Sequence, residues 1–156
     1  MKVRTLFALI FFLSLTSAYA QDSAEPVSDE ELKRYAVMMD SIDAMRDNLL
    51  EEISEMVKNN DKISVSRYND LFKIIDDEAK LAEAKATPEE IAAIKEVQAR
   101  KEAGTTEIND TFRSLAKDYV GASSYNKVKK ALKDPAVSTK YKAILAEVKG
   151  EEEEGS

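Results

Sequence analysis

The chain has no cysteine, no histidine and no tryptophan, and only four glycines and three prolines among 156 residues. Without histidine there is no Ser-His-Asp triad, no imidazole base and no ordinary zinc site. Without cysteine there is no thiol nucleophile, no disulfide and no iron–sulfur cluster. Carboxylates, serines and lysines are left to carry any chemistry. Paired carboxylates can hydrolyse glycosides, but aromatic side chains make up only 7% of the residues, too few to furnish a sugar-binding cleft. The doublets Glu51-Glu52, Asp76-Asp77 and Glu89-Glu90 therefore read as solvated helix faces. No Asp-x-Asp-x-Asp-Gly loop for calcium occurs. The expectation is a non-enzymatic protein with no catalytic residue, no resident metal and no cofactor.

The first segment has the layout of a secretory leader. Lys2 and Arg4 give a positive start, residues 6–15 form an apolar stretch broken only by Ser14, and Ala18-Tyr19-Ala20 offers the small residues that a signal peptidase accepts. The stretch is well short of the roughly 20 apolar residues of a membrane-spanning helix. Cleavage before Gln21 is expected, with residues 1–20 removed and no transmembrane segment left behind. A lipid anchor at the new terminus would require a cysteine there, and none exists. Taking Lys2 and Arg4 from 23 basic residues, against 30 acidic ones, leaves a formal charge of −9 on the processed chain. That field disfavours nucleic acid and anionic membrane surfaces as partners.

Beyond the cut, residues 21–27 read as a disordered spacer, residues 28–149 as one helical domain, and residues 150–156 as an acidic, disordered tail. Ser28-Asp29-Glu30-Glu31 has the form of a capping box, with Ser28 as N-cap and Glu31 reaching back. Leu32, Tyr35, Met39, Ile42, Leu49, Ile53 and Met56 follow at helical spacing, which predicts a helix to about Lys58. A second helix is expected over residues 65–85, burying Tyr68, Leu71, Phe72 and Ile75. Thr87-Pro88-Glu89-Glu90 restarts the chain with threonine as N-cap and proline at the first helical position. The third helix carries Ile91, Ile94, Val97, Ile108, Phe112, Leu115 and Tyr119, with a kink expected at Gly104. A fourth starts at Ala122 and is interrupted at Asp134-Pro135. No stretch alternates as a strand does, so the fold class is all-α: an antiparallel bundle of about four helices.

One internal correspondence stands out. Residues 63–77 align without gaps against residues 120–134, and Ser66, Tyr68, Asn69, Lys73 and Asp77 recur as Ser123, Tyr125, Asn126, Lys130 and Asp134. Each copy reads as a helix start with Ser64 or Gly121 as N-cap. Ile63 or Val120 then lies one residue before the cap and a tyrosine at N4, the spacing of a hydrophobic staple. Duplication of a helical hairpin accounts for this, and so does repeated use of the same capping chemistry. At these residues, residues 27–32 and the Val120-Gly121, Tyr125-Asn126 and Asp134-Pro135 pairs, the chain resembles the bacterial exported proteins grouped as domain of unknown function 4168. The resemblance covers about residues 27–148. This chain departs from the pattern in having Gly121 where such proteins often carry serine, and in repeating the staple at Ile63 to Asn69. The resemblance implies an exported helical protein, in the periplasm first and the medium second, and brings no functional residues with it.

Met38, Met45 and Met56 fall close to one helical line. Flexible methionines on one face would give an adaptable apolar surface for unfolded clients, as in a periplasmic holdase. Thioethers also accept copper(I), a lesser alternative. A buried bundle seam is the plain reading. Asn109-Asp110-Thr111 matches a glycosylation sequon by chance. The leading expectation is an interaction or structural module of the envelope with a protein partner, and a homo-oligomer is one form this could take.

Overall fold

Side-chain caps mark where most of the helices begin. The computed structural model describes residues 26–154, so the expected leader at 1–20, residues 21–25 of the expected spacer and residues 155–156 of the expected tail lie outside the described residues. Helix α1 (Asp29–Lys58) opens with the capping box in full: the Glu31 amide donates to the Ser28 hydroxyl at 3.2 Å and the Ser28 amide to the Glu31 carboxylate at 2.9 Å. A second capping box, Thr87 with Glu90, opens α4 (Pro88–Ser114), and Pro88 sits where its missing N–H costs no hydrogen bond.

The single helix expected over residues 65–85 is two. Helix α2 (Val65–Phe72) ends in tight turns, with the Ile74 amide donating to Leu71 and the Asp77 amide to Ile74. Asp77 then caps α3 (Glu78–Glu83), its carboxylate accepting from the Lys80 amide at 3.1 Å. A competing cap thus won over apolar periodicity. The shorter α2 also leaves Phe72, expected in the core, 40% exposed.

Two further expectations fail for physical reasons. Helix α4 runs through Gly104 without a break, because the glycine serves close approach rather than bending: a Cβ there would lie 2.5 Å from Leu49 Cδ1 and 2.7 Å from Arg100 Nη1. At the far end, a π-helical segment (Leu115–Tyr119) replaces α-helix, closed by the Val120 amide donating to the Leu115 carbonyl at 2.9 Å. The wide turn inserts one residue and rotates the register. Tyr119, expected on the buried stripe, is 43% exposed, and Val120 takes the inward place at 4%.

Helix α5 (Ala122–Ala131) and helix α6 (Pro135–Glu154) are separated at Asp134-Pro135, where the Asp134 carboxylate accepts the Ala136 amide at 2.8 Å. The acidic run expected as a disordered tail from Gly150 continues the helical backbone of α6 as far as Glu154, in keeping with glutamate as a good helix former. The described residues are all-helical, with six α-helices: the expected break at Asp134-Pro135 divides the fourth, and the unexpected one before Asp77 divides the second.

Helices α1 and α4, 30 and 27 residues long, form the frame, roughly 45 and 40 Å at 1.5 Å per residue. They run antiparallel, since Glu52 of α1 pairs with Arg100 of α4 while Leu32 and Tyr35 share a cluster with Phe112 and Leu115. Helix α6 runs parallel to α1, with Lys140 on Asp29 and Lys149 on Asp40 in the same order along both. That parallel pair departs from the expected antiparallel bundle. The core is in two parts. Ile63, Tyr68, Leu71, Ile75, Leu81, Ala93, Ile94 and Val97 fill one end; Leu32, Tyr35, Met38, Val120 and Val128 fill the other, with Tyr125, Tyr141 and Ile144 packed against them.

Candidate functional site

Between the two core clusters, the α1–α4 pair is bare on one face. Arg46, Leu49, Leu50 and Ile53 fall at helical three- and four-residue steps along one face of α1, and Val97, Gln98, Lys101, Thr105, Ile108 and Asn109 oppose them on α4. Tyr68 and Phe72 of α2, stacked at 5.7 Å between ring centroids, form the end wall. Together they bound a groove of about 530 Å³, within the size range of ligand sites. Its lips are apolar and open to water: Leu50 is 66% exposed and Phe72 40%. Its charged lining is basic, Arg46 and Lys101, although the chain's formal charge is −7. Arg46 pairs with Asp43 at 2.9 Å; Lys101 has no ion-pair partner among the described residues.

A smaller cleft, about 210 Å³, lies between the same helices and shares only Leu49 and Ile108 with the groove, which puts it on the opposite face. There the Arg100 guanidinium donates to the Glu52 carboxylate at 2.6 Å beside Gly104. This pair straps the two long helices together beside the tight contact of Gly104 with Leu49. The arginine beside Glu52 holds its carboxyl below the ordinary value.

The residues singled out from the sequence go elsewhere, and most of them build the ends. Glu31 does more than cap. Its carboxylate also receives the Ser124 hydroxyl at 2.9 Å and the Lys127 ammonium at 3.0 Å, so it ties the head of α1 to α5. The Ser28 amide first, then Lys127, hold its carboxyl down at about 2. At the other end Glu90 plays the same part: Arg67 of α2 donates to it at 2.9 Å, and Arg67 followed by the Thr87 amide lowers its pKa. Ile63 and Tyr68 are buried around Ser64, whose hydroxyl accepts the Arg67 amide at 3.3 Å. Val120 is buried and Tyr125 half-buried around Gly121, which has φ 88° and no side-chain cap. Asn126 is exposed and bonds only to the Ala122 carbonyl, at 3.0 Å. The acidic doublets are not simply solvated, since Glu52, Asp77 and Glu90 each join an ion pair or a cap.

The methionine face is corrected. Met38 is wholly buried in one core cluster, Met56 packs against the other, and Met45 is half-buried beside the small cleft. They share no open surface. Along a straight helix, residues seven and eleven apart stand roughly 10 and 16 Å from each other, so their sulfurs cannot converge on one copper ion. Among the described residues no group of three or more acidic, histidine or cysteine side chains is arranged to hold a metal, and no helix is long and apolar enough to cross a membrane. The groove itself went unread in the sequence. Its signal was a mismatch: Leu49, Leu50 and Ile53 face the polar stretch of α4 from Gln98 to Thr105, too polar to cover them.

No protein-family model matches the chain, and comparison with curated proteins and with solved structures finds no match either.

Proposed function

We propose that this is an exported, non-enzymatic helical protein of the bacterial envelope that acts as an interaction module, and that the groove between its two core clusters is its binding face. Export rests on the leader-like residues 1–20 and on the resemblance to domain of unknown function 4168, which is carried by cap and staple motifs alone. The observation that carries the binding reading is the concentration of exposed apolar side chains: of the four large hydrophobics open to water among the described residues, Leu50, Val65, Phe72 and Tyr119, two form the lips of one groove. Contiguous exposed apolar surface on a folded protein marks interaction sites.

The finer reading of the fold belongs with this proposal: two helical hairpins related by duplication. Residues 67 and 124 are equivalent in the near-repeat, and both donate to the N3 glutamate of a long helix's capping box, Arg67 to Glu90 and Ser124 to Glu31. That long-range equivalence supports duplication over a shared capping habit. A holdase is the second reading, resting now on Leu50 and Phe72 instead of the methionines.

A photoreactive side chain placed at Leu50 or Phe72 in cells tests the binding face, with Glu96 and Lys142, both exposed and outside the groove, as controls. A defined crosslinked species from positions 50 and 72 and not from the controls is expected. Crosslinks no more frequent than at the controls would sink the reading, and a broad smear of clients would favour the holdase.

A further inference from the structure

We infer that the occupant of the groove is an acidic amphipathic helix of a partner protein. The inference rests on the groove being the binding face and adds the chemistry of what binds there. The first argument is architectural. At one end the α1–α4 frame is covered by α2, at the other by α5 and α6, and between these covers it lies bare over about two turns of α1 and more than three of α4. A helix is what this fold already lays across that frame, and a helix in an apolar groove is a recurrent mode of recognition.

The second argument concerns the lips. A slender ligand such as a single acyl chain would sink to Leu49 and Ile108 and leave the outer surfaces of Leu50 and Phe72 wet. A helix, about 10 Å across with its side chains, rests on both lips while sending an apolar row between them. Charge then selects among helices. Among the described residues the charged side chains lining the groove are cations, Lys101 and an Arg46 that already pairs with Asp43, in a protein whose overall field repels acidic partners. Locally reversed charge steers the matching partner and penalises a basic one.

The test uses the purified protein and two fluorescein-labelled peptides of about 18 residues, some five helical turns, with leucines at identical i, i+3, i+4 and i+7 positions. One carries glutamate and the other lysine at the remaining sites. Anisotropy titrations are expected to give at least about tenfold tighter binding of the acidic peptide, weakening as salt is raised. Leu50→Glu and Phe72→Glu each lower its affinity by about tenfold or more. Lys101→Glu removes the preference for acid while leaving the helical circular dichroism unchanged. Equal affinity for the two peptides, or binding indifferent to both Leu50→Glu and Lys101→Glu, overturns the inference. So does displacement of the acidic peptide by sodium dodecanoate below micelle formation, which assigns the groove to acyl chains. Concentration-dependent dimerisation lost in Leu50→Glu assigns it to a second copy and overturns it as well. In each of these cases groove-specific crosslinks in cells still stand, so failure of the ligand class is distinguishable from failure of the binding face.

Discussion

At the end of the molecule where α2 meets α4, a serine caps the short helix and an arginine reaches across to Glu90; at the opposite end, glycine stands at the cap and a serine and a lysine reach across to Glu31. The topology of the two junctions is the same. A long helix opened by a capping box presents its N3 glutamate to the short helix that follows the other long helix. The residues that complete the junction differ, and so do the cores: an aliphatic cluster around Leu71 and Ile94 at one end, a tyrosine cluster at the other, where Tyr35 lies 5.6 Å from Tyr125 and 5.7 Å from Tyr141 between ring centroids. Two local solutions to one junction leave the middle thin, and the thin middle is the groove.

Emptying one core tests whether the ends are separate. Ile94 is wholly buried in the aliphatic cluster, and Ile94→Ala is expected to cost about 2–5 kcal/mol in denaturant unfolding. Hydrogen exchange should then show α2 and α3 losing protection first, while α5 and α6 keep theirs. Equal loss at both ends would make the two clusters one cooperative unit and dissolve the comparison.

The caps offer a sharper contrast. Ser64 sits in extended backbone at φ −74°, so glycine there forfeits little beyond the side-chain bond, a few tenths of a kcal/mol. Gly121, at φ 88° and ψ 130°, occupies a region that favours glycine. Gly121→Ser should destabilise by about 1–3 kcal/mol despite supplying a good capping side chain. A neutral or stabilising result in thermal unfolding would mean that the junction can rotate into the Ser64 geometry.

How much of this was legible beforehand follows from where the interactions are local. Ser28 with Glu31, Thr87 with Pro88 and Glu90, and the staples Ile63–Tyr68 and Val120–Tyr125 involve residues within five of one another, and they could be read directly. The division of residues 65–85 was hidden because Asp77 competes through a hydrogen bond while Leu71 and Ile75 stay buried across the break. The π-turn after Ser114 shifts Tyr119 out and Val120 in by tertiary packing that no local pattern announces. The groove depends on α1 and α4 being neighbours at one register, set by Gly104 against Leu49. Its residues are unremarkable until that contact is known.

Acid sets the two junctions against each other more gently. Glu31 is held at about 2 in the folded protein against an ordinary 4.5, so its stabilising effect is complete above pH 4.5 and is lost as pH falls from there through 2. With 19% of the Glu31 side chain exposed, solvent screening leaves on the order of 2 kcal/mol. Glu31→Gln should show that loss at pH 7 and converge on the parent stability near pH 2. Glu90 is shifted in the same direction by Arg67, so Glu90→Gln should likewise destabilise the other end at neutral pH and less so in acid. A loss from Glu31→Gln that persists undiminished at pH 2 would assign its effect to packing rather than charge.

The smallest effect is expected where only one junction has an extra turn. Helix α3 has no counterpart in the tyrosine-rich end, and it closes in a Schellman motif: the Ala86 amide donates to the Leu81 carbonyl at 2.9 Å and the Lys85 amide to Ala82 at 3.0 Å. The residue that must turn left-handed is Lys85, at φ 53°. A side chain there costs about 1–2 kcal/mol, while glycine forfeits roughly half to one kcal/mol of chain entropy in the unfolded state. Lys85→Gly is therefore expected to stabilise by less than about 1 kcal/mol, read as a small rise in melting temperature. Because Lys85 is exposed, any destabilisation would show that the left-handed turn is not what ends α3. The break that separates α3 from α4 would then have to come from the Thr87 capping box alone.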